Sequence, residues 1–121
     1  MTFTNATFKH TNTSPDEKLQ DLIIDKFSSL DKFIQNETDV RLEIELEKMP
    51  TGHTGPIYRM EANFWLAGKL YRSENNQDSF EKAVDHVRNE IEKEVRRDHK
   101  KQGNLLRRGG RKIKEMILGS R

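Results

Sequence analysis

The residues best placed to do chemistry lie on one helix-forming stretch toward the C-terminal end. Phe80, Val84, Val87, Ile91 and Val95 recur at three and four, the spacing of a buried helical face. With Phe80 at zero and 100° per residue, these apolar residues fall between about −20° and +60°. Lys82, Lys93, Arg96, Arg97 and Lys100 fall between about 160° and 260°, with His86 and Asn89 in the same sector. The basic row therefore points away from the core. Glu81, Asp85 and Glu92 lie along one flank and Glu90 and Glu94 along the other. A merely solvated face mixes its signs at i,i+4 spacing. Sorted charge suits phosphates instead: each contact adds salt dependence, and the fixed helix sets the register. A solvated helix with charges sorted by chance is the alternative.

Other chemistry has no frame in the chain. There is no cysteine, which excludes disulfides, thiolate zinc clusters, iron–sulfur centres and cysteine nucleophiles. His10, His53, His86 and His99 show no metal-ligand spacing and read as surface histidines. His53, in Thr51-Gly52-His53-Thr54-Gly55, is a loop histidine with no placed partner. No nucleophile–base pair and no phosphate-cradling glycine loop is present. The expectation is a protein with no catalytic site, cofactor, metal or small-molecule substrate. Trp65 and Tyr71 are candidates for an aromatic, base-stacking sheet face. Glu43, Glu45, Glu47 and Glu61 on that face would repel phosphate, so ordinary cross-strand packing is the better reading.

The chain of 121 residues is 32% hydrophobic and 35% charged, enough for one domain with a small core. Its net charge of +2 hides an asymmetry. Residues 1–78 hold 9 basic and 13 acidic side chains, whereas residues 96–121 hold 10 basic and 2 acidic ones. Such a basic end suggests an anionic partner, nucleic acid before an acidic membrane surface. A solubilising tail is the plainer alternative. No apolar run approaches the ~18 residues of a membrane span. Met1-Thr2-Phe3-Thr4-Asn5 lacks the basic start and apolar stretch of a secretory signal. A cytoplasmic protein is expected.

The elements that must position the basic row follow from periodicity. Phe3 to Lys9 reads as a first strand. Ser14, Pro15 and Glu17 form a capping box that starts a helix over 15–34, with Leu19, Leu22, Ile23, Phe27, Leu30 and Ile34 on one face. Val40, Leu42, Ile44 and Leu46 alternate with charged residues, as do Tyr58, Met60, Ala62, Phe64 and Leu66 with Arg59, Glu61, Asn63 and Trp65. Gly68 turns the chain into a short strand, Leu70 to Ser73, before the polar break Asn75-Asn76-Gln77. Asp78, with Glu81 three residues on, caps a second helix over about 79–100. The predicted order is β-α-β-β-β-α. It is an α+β fold, a four-stranded sheet with two roughly parallel helices packed on one face. Residues 1–101 form the domain and residues 102–121 a basic flexible tail carrying Arg107, Arg108, Arg111 and Lys112.

Three segments resemble the ribosome hibernation factors, the hibernation-promoting factor and ribosome-associated inhibitor family, also called ribosomal subunit interface proteins. They are Leu22-Ile23-Ile24-Asp25-Lys26-Phe27-Ser28-Ser29-Leu30-Asp31-Lys32-Phe33, the strand Val40 to Lys48, and Asp78-Ser79-Phe80-Glu81-Lys82-Ala83-Val84-Asp85. Their order and spacing are similar to the family's over about residues 1–101. The resemblance implies a short-form, non-enzymatic protein that is a monomer off the ribosome. It implies binding to the small (30S) ribosomal subunit in the channel shared by messenger RNA and the A- and P-site transfer RNAs. Contacts to 16S rRNA would then stop translation and protect idle ribosomes. By position, Lys93 and Arg97 match basic residues of the family's second helix, Lys100 and Lys101 extend that end, and Lys26 matches the first-helix lysine. Glu90 stands where the family often has lysine. The rival readings are a double-stranded RNA-binding domain and a protein-interaction module with a solubilising basic tail. The start of the last helix, Ser79-Phe80-Glu81-Lys82, lacks the Lys-Lys-rich pattern of the first rival.

Overall fold

The computed structural model describes residues 6–34, 39–50 and 52–119, with the stretch from 103 onward described as backbone. Phe3 lies outside the described residues. Over the described residues the first strand, β1, runs Ala6–Thr11, two residues past the predicted end at Lys9. Helix α1 spans Glu17–Phe27, a 3-10 turn follows at Ser28–Leu30, and α2 spans Asp31–Ile34. Strands β2 (Val40–Lys48), β3 (Tyr58–Leu66) and β4 (Lys69–Gln77) come next, and α3 (Phe80–Gly119) closes the chain. The fold is α+β in the order read from the periodicity.

The sheet order is β1-β2-β3-β4, with β1 parallel to β2 and the remaining pairs antiparallel. A parallel pair cannot be joined by a tight turn, so the intervening chain must cross over, and α1 is that crossover. It packs on α3, and α3 packs on β3 and β4. One sheet face is thereby covered and the other left open, as strict alternation requires. Leu42, Ile44, Leu46, Met60, Ala62 and Phe64 are buried beneath Ile23, Phe27, Leu30, Val84, Val87 and Ile91.

The first helical segment starts later than Ser14 suggests. Asp16 is the N-cap, and its carboxylate accepts a hydrogen bond from the Leu19 amide at 2.8 Å. Ser14 and Asp16 are both capping types, and the helix takes the second. The segment is also not one uninterrupted α-helix. The Ser28 hydroxyl donates to the Asp25 carbonyl at 2.5 Å, where the backbone tightens into the 3-10 turn. Ile23, Phe27, Leu30 and Ile34 nonetheless all stay buried, because their spacing survives the tightening.

The hairpin between β3 and β4 is longer than predicted. Ala67 and Gly68 both have positive φ, at 53° and 79°, and form a two-residue turn between paired Leu66 and Lys69. This register carries pairing out to Tyr58 opposite Gln77, so Asn75, Asn76 and Gln77 belong to β4. It also places Tyr71 opposite Phe64 on the core side, where it is buried. Tyr71 is therefore no candidate for a base-stacking face, and it packs across the strands, the reading the sequence favours. Two-residue closure fixes which parity faces inward.

Helix α3 is capped by Ser79 rather than Asp78: the Ser79 hydroxyl accepts from the Lys82 amide at 3.2 Å. The sequence reading ends this helix near 100 and expects a flexible tail beyond. The structure carries helical backbone through Gly119.

Candidate nucleic-acid interface

Helix α3 buries Phe80, Ala83, Val84, Val87, Ile91 and Val95 against the sheet and α1. The opposite sector must then face outward, and Lys82, His86, Asn89, Lys93, Arg96, Arg97 and Lys100 are all exposed. Lys101 is exposed beside them. The arithmetic of 100° per residue thus translates into a real surface.

What clears that surface of negative charge is the orientation of the acids. Glu92 is mostly buried and accepts from the Ser29 hydroxyl of the 3-10 turn at 2.7 Å. Glu90 accepts from the buried Ser73 hydroxyl of β4 at 2.8 Å and contacts His86 Nε2 at 2.7 Å. Asp98 accepts from Lys69 and, at 2.8 Å, from the Tyr71 hydroxyl. These carboxylates turn toward the body and bind β4 and the first helical segment. Of the cations, Lys93, Arg97, Lys100 and Lys101 have no ion-pair partner among the described residues.

The site residues named from sequence fall into three groups. Lys93, Arg97, Lys100 and Lys101 are exposed and make no ion pair among the described residues. Arg96 pairs with Glu92 at 3.1 Å, Lys82 with Asp78 at 3.1 Å, and Lys26 of α1 with Asp85 of α3 at 3.0 Å. Exposed pairs of this kind are screened by solvent and hold the side chains loosely. Arg107, Arg108, Arg111 and Lys112 stand on helical backbone, and their side chains lie outside the described residues.

Local electrostatics sharpen the separation. Lys69, then Tyr71, holds the Asp98 carboxyl below its ordinary range. Lys82 does the same for Asp78. Burial, then the bond to Asp98, pushes the Tyr71 hydroxyl up.

The open face of the sheet has the opposite character. Arg59 is a hub, 3.6 Å from Glu45, 3.4 Å from Glu47, 2.5 Å from Glu61 and 2.9 Å from Glu74. Its hydrogen bond to Glu74 is the leading cause that raises its own pKa and lowers that of Glu74. Arg72 adds a 3.0 Å contact to Glu61. The Arg41 guanidinium covers the Trp65 ring at 4.5 Å from its centroid, which is the cross-strand packing expected of this aromatic. Tyr58 meets Phe80 edge to face at 4.9 Å, at the margin of the core.

Sequence reasoning did not find the aromatic cluster at the far end of the body. Phe33 and His99 meet edge to face with centroids 5.5 Å apart. Lys32 lies 5.3 Å and Arg96 6.0 Å from the Phe33 centroid. His99 reads from sequence as a surface histidine and is indeed exposed, but its partner is distant in the chain and no spacing rule reaches it. Among the described residues no group of three or more His, Asp or Glu could hold a metal ion. Nor is any helix among them long and apolar enough to cross a membrane.

An open four-stranded mixed sheet with its helices on one side and a cation-lined helix facing out defines an α+β protein with one basic helical face. The family model described as Sigma 54 modulation protein / S30EA ribosomal protein matches residues 5–103, and the chain belongs to that family. The fold is similar to the Thermus thermophilus Protein Y N-terminal domain, with 22% identity, a TM-score of 0.56, and coverage of 80% of this chain and 98% of that one. It is also similar to a ribosomal subunit interface protein from Coxiella burnetii, with 18% identity, a TM-score of 0.57, and coverage of 77% and 97%. No curated protein sequence matches the chain. The family is one of ribosomal proteins, not of enzymes.

Proposed function

We propose that this protein is a ribosome hibernation factor. It binds the small ribosomal subunit through 16S rRNA, in the channel used by messenger RNA and by A- and P-site transfer RNA. Occupying that channel inhibits translation and protects idle ribosomes. The protein acts in the cytoplasm and is a monomer off the ribosome. The observation that carries this reading is the row Lys93, Arg97, Lys100 and Lys101, exposed and without ion-pair partners among the described residues. Family membership supplies the ribosomal setting.

The mechanism needs no bond-making step. A rigid helix, anchored by its apolar face, presents cations at fixed spacing, and each cation that neutralises a phosphate releases counterions. The sheet face, where Arg59 and Arg72 are held in ion pairs with glutamates, offers RNA no such row of unpaired cations, so α3 is the side that meets it. The basic segment 102–121, with Arg107, Arg108, Arg111 and Lys112, adds contacts along the messenger path. Its removal is expected to weaken binding.

The triple variant Lys93→Glu, Arg97→Glu, Lys100→Glu tests the reading. These side chains are exposed, so the variant is expected to fold with an unchanged circular dichroism spectrum. Binding to small subunits is expected to fall sharply. The slope of log affinity against log salt is expected to flatten by about 2–3, at roughly 0.7–0.9 per lost phosphate contact. Wild-type affinity with an unchanged slope would contradict the assignment.

A further inference from the structure

A groove of about 570 Å³ opens at the end of the body, where α2, the β3–β4 turn and α3 converge. That volume lies within the roughly 300–1,000 Å³ usual for sites that hold a small organic group. Ile34, Leu66 and Val95 form an apolar floor, while Phe33, Tyr71 and His99 supply aromatic walls. His99 is exposed and sits edge to face against Phe33 at an interplanar angle of 66°, not flat upon it. His99, the exposed member of the pair, therefore offers a ring face to a third ring.

The polar groups of the groove are few and specific. Asp98 takes both of its hydrogen bonds, from Lys69 and Tyr71, on Oδ2. Asp98 itself lines the groove, and among the described residues its Oδ1 accepts no hydrogen bond. Gln102 lines the same wall. The rim is cationic: Lys101 lines the groove, and Lys32 and Arg96 flank Phe33. Arg96 is also the edge of the outward basic row on α3, so the groove adjoins that row there. An aromatic platform beside backbone-tracking cations is the physical arrangement by which proteins seat unpaired nucleotides.

We propose that this groove seats one unpaired, amino-bearing purine base of the bound RNA. The base stacks on His99 beside Phe33, its exocyclic amine donates to the Asp98 carboxylate, and its phosphate lies by Arg96 and Lys32. The proposal rests on the RNA-binding reading above and adds to it a base-recognising subsite, where the α3 row alone would read only phosphates. The charge of the rim excludes an apolar or cationic occupant. A purine also fills more of the aromatic surface than a pyrimidine.

The test titrates the full-length, isotope-labelled protein with adenosine monophosphate and with uridine monophosphate, following amide shifts. Adenosine monophosphate is expected to shift the amides of residues 66–69 and 95–102 and to bind more tightly than uridine monophosphate. His99→Ala, at an exposed position, is expected to keep the fold and weaken adenosine monophosphate about tenfold, the loss of one aromatic stacking partner. Its effect on uridine monophosphate is expected to be smaller. Equal binding of the two nucleotides, unaffected by His99→Ala, would overturn the subsite and leave phosphate contact alone. Small-subunit binding is measured in parallel. If it persists while the groove shows no base preference, the subsite falls and the ribosome reading stands. If neither binds, both fall.

Discussion

Asp98 shows how one residue ties the core to the surface. Its carboxylate receives Lys69 and the buried Tyr71 hydroxyl, and so fastens α3 to β4 just before the helix leaves the body. Lys69, then Tyr71, depresses its pKa below the ordinary 3.8. A carboxyl whose folded pKa is depressed stabilises the protein above its unfolded pKa, and that contribution is lost as pH falls through the folded value. Stability is therefore expected to decline as pH drops below about 3.8, with Asp78 and Glu74 adding loss of the same sign. Asp98→Asn is expected to make that acid decline shallower in urea titrations run across pH, whereas its effect near neutrality is a loss of stability. An acid limb identical to wild type would show that the pair with Lys69 does no work. Ala67 offers a test in the other direction. It holds φ of 53° at the first position of the β3–β4 turn, where a Cβ is strained by about 1–2 kcal/mol and Asn is tolerated. Ala67→Asn is expected to raise the thermal midpoint, by an amount equivalent to about 1 kcal/mol. An unchanged or lower midpoint would contradict this account of the turn.

Among the elements, α3 sets the shape of the interface and is also the most locally compromised. Gly103, Gly109 and Gly110 lie inside it, each costing about 1 kcal/mol relative to Ala. Gly109→Ala with Gly110→Ala is expected to increase helicity in far-ultraviolet circular dichroism, with no change in the core's unfolding transition. A fall in helical signal would contradict the continuous helix. The same glycines explain why the sequence ends α3 near 100: local propensity stops there, while the backbone does not. Strand β4 shows a similar conflict. Asn75, Asn76 and Gln77 read as a break, yet they pair with Met60, Arg59 and Tyr58 because the long partner strand extends past them. Alternation at β2 and β3 was legible because one buried face imposes a period of two. The basic row was legible because a helix buried on one side must show its other side to solvent. The inward turn of Glu90, Glu92 and Asp98 was not, since Ser73, Ser29, Lys69 and Tyr71 are far away in sequence.

At the scale of the whole molecule, charge is distributed between two faces. The open sheet collects Glu45, Glu47, Glu61 and Glu74 around Arg59, and α3 displays its cations on the other side. On the proposed function, a body with its unpaired cations on one side approaches RNA with that side, and salt screens the steering. The family and the order of elements could be read from three segments and their spacing. Helical periodicity alone did not distinguish α1 from the 3-10 turn and α2 that continue it. The groove between Phe33, the β3–β4 turn and α3 was not readable, because it exists only once these three chain-distant pieces meet. The central claim is that this surface occupies the transfer and messenger RNA channel of the small subunit. The most direct measurement is sedimentation of the protein with separated ribosomal subunits at low and moderate salt, with and without transfer RNA bound. The account predicts co-migration with the small subunit, loss of it as salt rises, and blockage by transfer RNA. Free protein at the top of every gradient, or binding indifferent to transfer RNA, would contradict it.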